Sequence, residues 1–171
     1  AFCALTLDHQ NFRQKDPMKV VDELEALSRK YETPYFFFTD ECLALSPTKR
    51  LCKELIHRGL DLQWTAELRF EKHLSHELLA SMREAGCQKI VFGLETYNAR
   101  LMDFMVKGIT QESVNRICSD CVDIGIAVHC YVIVGFPTET EEEALETMNF
   151  IVKNTKLHSS YGFSCQPCLF D

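Results

Sequence analysis

No stretch of this chain approaches the ~20 consecutive apolar residues that span a bilayer, so a membrane helix is not expected. Lysine and arginine never gather into a long run. With 18 basic against 25 acidic residues the formal net charge is −7, and phosphate backbones are repelled on average. Nucleic acid is therefore not expected as a partner. Glycine (7) and proline (5) are sparse, and no Pro/Gly/Ser linker, low-complexity tract or single-sign charge block divides the chain. One domain over residues 1–171 is the simplest organisation for 19.7 kDa. There is no His-Glu-x-x-His motif or paired histidine spacing, so His57, His73, His76, His129 and His158 read as surface or satisfied core residues.

Cysteine is the exception to this sparseness. Nine are present, an odd count, set inside periodic strands and helices rather than in a short loop-rich chain. That pattern implies a reducing, cytoplasmic setting in which most thiols are small buried hydrophobes. Cys118 and Cys121 share one face of a helix with Val114 and Ile117, which is core spacing rather than zinc spacing. Cys165 and Cys168 stand at the end of the last strand. They read as strand packing before a Pro turn, with a metal ligand or radical-quenching thiol as the alternative.

The rest of the chain alternates two periodicities. Pro17 opens a helix whose apolar face is Val20, Val21, Leu24 and Leu27. Residues 34–41 place Phe36, Phe37 and Phe38 ahead of Asp40 and Glu41, as a strand buried on both faces would before a functional rim. Ser46 and Pro47 start a second helix, which Gly59 ends. The spacing then predicts a strand over 62–69, a helix over 75–85, a strand over 89–96 and a short helix over 98–106. A longer helix over 111–124 follows, capped by Thr110 and closed by Gly125. A strand over 127–134, a tight loop, a helix over 141–153 with acids in its first turn, and a strand over 161–166 complete the chain.

Strands separated by helices imply parallel, right-handed crossovers. Periodicity alone does not separate a barrel from an open doubly wound sheet. Asp40, Glu41, Arg69, Glu95 and Glu139 favour the barrel, because they stand at C-terminal strand ends that would ring one mouth. A full eight-unit barrel takes ~250 residues. The expected fold class is therefore α/β, a partial TIM-like parallel barrel.

The motifs now become specific. Ala1-Phe2-Cys3 resembles the tail of the Cys-x3-Cys-x2-Cys loop of radical S-adenosylmethionine (SAM) enzymes, closest to the branch that often carries a cobalamin-binding domain upstream. Thr39-Asp40-Glu41 lies where that family often has Gly-Gly-Glu. Gly93-Leu94-Glu95-Thr96 resembles its Gly-x-Glu-Ser. Ile133-Val134-Gly135-Phe136-Pro137-Thr138-Glu139-Thr140 resembles its Ile-x-Gly-Leu-Pro-Gly-Glu-Thr, with Thr138 in place of the second glycine.

The resemblance covers essentially the whole chain. It implies a (β/α)6 partial barrel of the radical SAM type that lacks its first strand, with the record starting inside the cluster loop. Cys3 would be the third ligand of a [4Fe–4S] cluster. Asp40 and Glu41 would meet the ammonium of SAM, Glu95 its ribose and methionine, and Lys107 its carboxylate. Ile133, Gly135 and Phe136 would lie along the adenine, with Glu139 closing that motif, and Arg69 would touch SAM or substrate. The implied activity is reductive cleavage of SAM to a 5'-deoxyadenosyl radical for hydrogen abstraction, with methyl transfer a common outcome in the cobalamin-linked branch. An electron donor such as flavodoxin or ferredoxin would be a partner, and the isolated chain would be inactive. A non-catalytic SAM-fold binding module and an unrelated α/β-barrel enzyme are the alternatives.

Overall fold

The structure is a computed structural model, and it describes residues 14–40, 42–157 and 161–167. Cys3, Glu41 and Cys168 lie outside the described residues. Helix α1 (Pro17–Tyr31) is capped by the Asp16 carboxylate, which accepts from Met18 N, with Pro17 in the first turn. Strand β1 (Tyr35–Phe37), α2 (Leu45–His57), β2 (Gln63–Leu68), α3 (His76–Glu84) and β3 (Cys87–Glu95) follow. A short α4 (Ala99–Phe104) precedes α5 (Gln111–Ile124), β4 (Ala127–Val134), α6 (Glu141–Leu157) and β5 (Tyr161–Pro167). Thr110 and Ser113 form a reciprocal capping box at the start of α5, and Gly125 ends it at φ 83°.

The strands lie in the order β1-β2-β3-β4-β5, every neighbouring pair parallel. A doubly wound sheet would reverse its order at a switch point. A strictly sequential order is the winding of a barrel wall, and it answers the question that periodicity left open. Helices α1, α2, α3 and α5 pack against one another in sequence on one side of this wall.

That side is the core. Trp64, Ala66 and Leu68 of β2, Ile90, Phe92 and Leu94 of β3, and Val128, Cys130 and Val132 of β4 face the helices, none more than 2% exposed. They meet Leu51, Leu55, Leu79, Met82 and Ile117. Removing each of the Val, Leu, Ile, Phe and Met side chains from water contributes about 1.5–3 kcal/mol. The buried Trp64 indole is satisfied by donating to Ala85 O at 2.8 Å. Gly86, at φ 97°, passes so close to Leu62 that a Cβ would fall 1.9 Å from its carbonyl oxygen.

Three expectations need correction. The strand read over 34–41 as buried on both faces is only three residues long, and Tyr35 and Phe37 are 67% and 55% exposed. Among the described residues β1 is an edge strand, and two of its three aromatics lack a covering layer. Phe36 and Phe38 do point inward, and Phe38 stands edge-on to Trp64 at 5.4 Å. Helix α6 continues to Leu157, about a turn beyond the predicted end. Leu27, expected on the apolar face of α1, is 41% exposed, on a groove of about 380 Å³ beside β1 lined by polar and apolar residues alike. Among the described residues, no helix is long and apolar enough to cross a membrane.

Candidate functional site

Parallel strands put all their C-terminal ends on one rim, where a βα barrel collects its chemistry. Strand β3 reaches this rim through a register break: Gly93 pairs with Tyr131, but Glu95, two residues on, pairs with Val132. The irregularity sets Glu95 in the left-handed region, φ 63°. Its carboxylate folds back over Gly93, where a Cβ would sit 2.8 Å from Glu95 Oε1 and 3.8 Å from Lys107 Nζ. A side chain there would push the Glu95 carboxylate out of this position. Lys107 Nζ donates to Gly93 O at 2.9 Å and to Glu95 Oε1 at 3.4 Å. The two side chains are only 11% and 16% exposed. Lys107 is delivered by a turn after α4 in which Val106 and Gly108 both have positive φ, 55° and 67°.

On the next strand, β4 ends in Ile133, half-buried, and an exposed Gly135 at φ 85°. Phe136 is buried in a small cluster with Leu101 and Met105, and Phe104 meets it edge-on at 6.1 Å. Glu139 Oε2 accepts from Gly135 N and from Phe136 N, the second at 3.3 Å. Its other oxygen, Oε1, is buried with no hydrogen-bond partner among the described residues. Arg100 of α4 reaches across to this turn. It forks onto Glu143 at 2.6 and 2.7 Å and donates to Thr138 O at 2.8 Å and Thr138 Oγ1 at 3.2 Å. The guanidinium holds the Glu143 carboxyl down to about 2.

Below the rim, the face of the sheet turned away from the helices carries cross-strand polar pairs. Tyr131 OH donates to Glu67 Oε1 at 3.1 Å, spanning β3, and its own ionisation is pushed up by desolvation and by that carboxylate. His129 Nε2 lies 2.9 Å from Ser164 Oγ. Desolvation, then the Lys89 ammonium, lower the pKa of His129 and favour its neutral form.

Taken together, the rim offers a carboxylate, an ammonium, an open glycine backbone and an orphaned carboxylate oxygen on two adjacent strand ends. The sequence model of the Radical SAM superfamily matches residues 1–151. The chain belongs to that superfamily. Its enzymes use a [4Fe–4S] cluster and SAM. An uncharacterized methyltransferase of Pyrococcus horikoshii is 30% identical over 156 residues, covering 89% of this chain and 34% of that protein. The anaerobic magnesium-protoporphyrin IX monomethyl ester cyclase of Rubrivivax gelatinosus is 33% identical over 150 residues, covering 86% of this chain and 27% of that one. The chain thus spans about a third of these relatives. Among solved structures, the radical SAM methyltransferase TsrM of Kitasatospora setae, with cobalamin and a [4Fe–4S] cluster bound, superposes with a TM-score of 0.76. It is 21% identical, over 89% of this chain and 31% of TsrM.

Within this radical SAM barrel the predicted site residues fall into three groups. Glu95 and Lys107 meet at the end of β3, and Ile133, Gly135, Phe136 and Glu139 occupy the end of β4. Asp40 and Arg69 are exposed, just beyond β1 and β2. Cys3 and Glu41 are outside the described residues, among which no group of three His, Cys, Asp or Glu could hold a metal ion. Asn98 caps α4, its side chain accepting from Leu101 N. Sequence reasoning missed Arg100, Glu67 and Tyr131. No local pattern signals the first, whose partners lie 38 and 43 residues away. For the other two, strand register is needed before they can be matched.

Proposed function

We propose that this chain forms the SAM-binding barrel of a radical SAM enzyme, with residues 1–171 as one core domain and Cys3 as one thiolate of its cluster. When bound, the reduced [4Fe–4S] cluster and SAM supply a 5'-deoxyadenosyl radical that abstracts hydrogen from a substrate. The observation that carries the reading is the Gly93–Glu95–Lys107 arrangement. Glu95 and Gly93 O offer acceptors for an ammonium, and Lys107 offers a cation for a carboxylate. That donor set fits the zwitterionic methionine end of SAM. Glu139 braces the amides of Gly135 and Phe136, leaving the exposed glycine for a flat ring to approach. Its buried orphan oxygen is an acceptor awaiting a donor. Ile133 would line the same strand end. Asp40 and Arg69 stand farther round the rim, toward SAM or substrate.

Methyl transfer is the outcome we favour, supported by the methyltransferase among the curated relatives and by the fold shared with TsrM. Cobalamin would then be held outside these residues, and a flavodoxin or ferredoxin would supply the electron. The buried thiols of Cys52, Cys87, Cys121 and Cys130 suit a reducing, cytoplasmic setting.

The test is anaerobic purification of the whole protein, followed by iron analysis, visible absorbance, and assay of 5'-deoxyadenosine from SAM with a low-potential reductant. We expect a cluster that bleaches on reduction and yields 5'-deoxyadenosine. Lys107→Ala should weaken SAM binding about tenfold or more, the worth of a charge-assisted hydrogen bond. A loaded cluster with neither SAM binding nor cleavage would leave a barrel that kept its fold and lost the reaction.

A further inference from the structure

We infer that Arg100 is the positioning residue of the turn between β4 and α6, and that it is required because residue 138 is threonine. This rests on the reading above in one respect only, that the turn faces SAM. Phe136, Pro137, Thr138 and Glu139 form a β-turn closed by Glu139 N donating to Phe136 O at 2.8 Å. Proline fixes its own φ near −65°, and Thr138 has φ 71°, the combination of a type II turn. Its third position strongly favours glycine. A β-branched residue with positive φ is an outlier, held only when the surroundings over-determine it.

The surroundings do so through one side chain. Arg100 donates to both acceptors of Thr138, the carbonyl through Nη2 and the hydroxyl through Nη1. The same guanidinium is anchored bidentately on Glu143. Glu143 Oε2 in turn accepts from Thr140 N at 2.9 Å, and Glu143 N donates to Thr140 Oγ1 at 3.3 Å, a reciprocal cap at the start of α6. The fork therefore ties α4, the strained residue and the first turn of α6 into one body. A lysine could not reproduce this, being a point charge without the planar fork. With residue 138 held, the amides of Gly135 and Phe136 stay aimed at Glu139.

Four versions of the whole protein test this: unaltered, Arg100→Ala, Thr138→Gly, and both changes together. The first readout is amide exchange of Gly135, Phe136 and Glu139 in cluster-free protein, with the thermal midpoint as a control for global unfolding. Arg100→Ala should speed exchange at these amides about tenfold, the penalty of an unsupported left-handed residue. Thr138→Gly alone should stay within about twofold, because glycine removes the strain but loosens the open state. The double variant should recover to within about threefold of the unaltered protein. Arg100→Lys should fall between, and it carries the test should Arg100→Ala not fold.

Unchanged exchange in Arg100→Ala, or a double variant as fast as Arg100→Ala, would overturn the clamp. The second readout is SAM affinity of the cluster-loaded protein, expected to follow the same order with rescue by Thr138→Gly. If exchange responds and is rescued while SAM affinity is equal in all four, the clamp stands and the assignment of this turn to SAM falls.

Discussion

The two faces of the sheet are made by the same strands, residue alternating with residue, yet they share almost no chemistry. On the helix side, β2, β3 and β4 present Trp64, Phe92, Leu94 and Cys130 to a sealed apolar layer. On the other side the neighbouring positions are Gln63, Thr65, Glu67, Lys89, His129 and Tyr131, partly open, with Tyr131 bonded to Glu67 and His129 to Ser164 across strands. Ordinary barrels fill that second side with bulky branched residues in layers. On β2, β3 and β4 this one keeps only two such residues there, Val91 and Ile133, beside the small Gly93 and Ala127, and gives the other positions to polar side chains. The lesson is a division of labour within single strands: one parity holds the fold, and the other is released to hold a ligand.

Adjacent residues make the sharpest test of that division. Trp64→Ala should cost about 3–5 kcal/mol, because a sealed indole and its bond to Ala85 O are both lost. Thr65→Ala, one residue on, should stay within about 0.5 kcal/mol. Denaturant midpoints of the two variants check this, and similar losses would break the comparison. Next in size is Gly162→Ala, whose Cβ would fall 2.8 Å from His129 Nδ1. The ring must swing away from Ser164, at about 1–2 kcal/mol, with the histidine resonances shifting in the NMR spectrum. Tyr131→Phe should cost under about 1 kcal/mol, since Glu67 keeps access to water once the bond is lost. Its thermal midpoint should barely move.

The smallest effect is in the pH profile. His129 has its pKa lowered below the ordinary 6.5 in the folded protein. The unfolded chain therefore takes up a proton first, and stability should decline as pH falls through that value. His129→Gln should flatten this limb. Glu143 behaves in the same sense at lower pH. Its contribution is full above the ordinary carboxyl value of 4.5 and is lost as pH falls through about 2.

The helix-facing parity was legible because it follows local rules. Thr110 and Gly125 bound α5 where capping chemistry puts them, and 127–134 is the strand that its β-branched run predicts. The aromatic run at 36–38 misled, since burial on both faces depends on layers that lie elsewhere in the chain. Glu95 and Lys107 were singled out through their motif and do meet, but the register break that folds the carboxylate over Gly93 was not legible. Arg100 reaches partners 38 and 43 residues away, and Tyr131 reaches one 64 residues away. No periodicity encodes such distances.

The sequential strand order has a consequence for how the chain is made. Each strand pairs with the one synthesised before it, so a nascent chain can lay down β2 on β1, then β3 on β2, without waiting for distant sequence. Loop closure spans one βα unit at a time, which keeps the entropic toll of each addition modest and nearly constant. The barrel wall can grow in the direction of translation, one stave after another, with the last stave added always the exposed one.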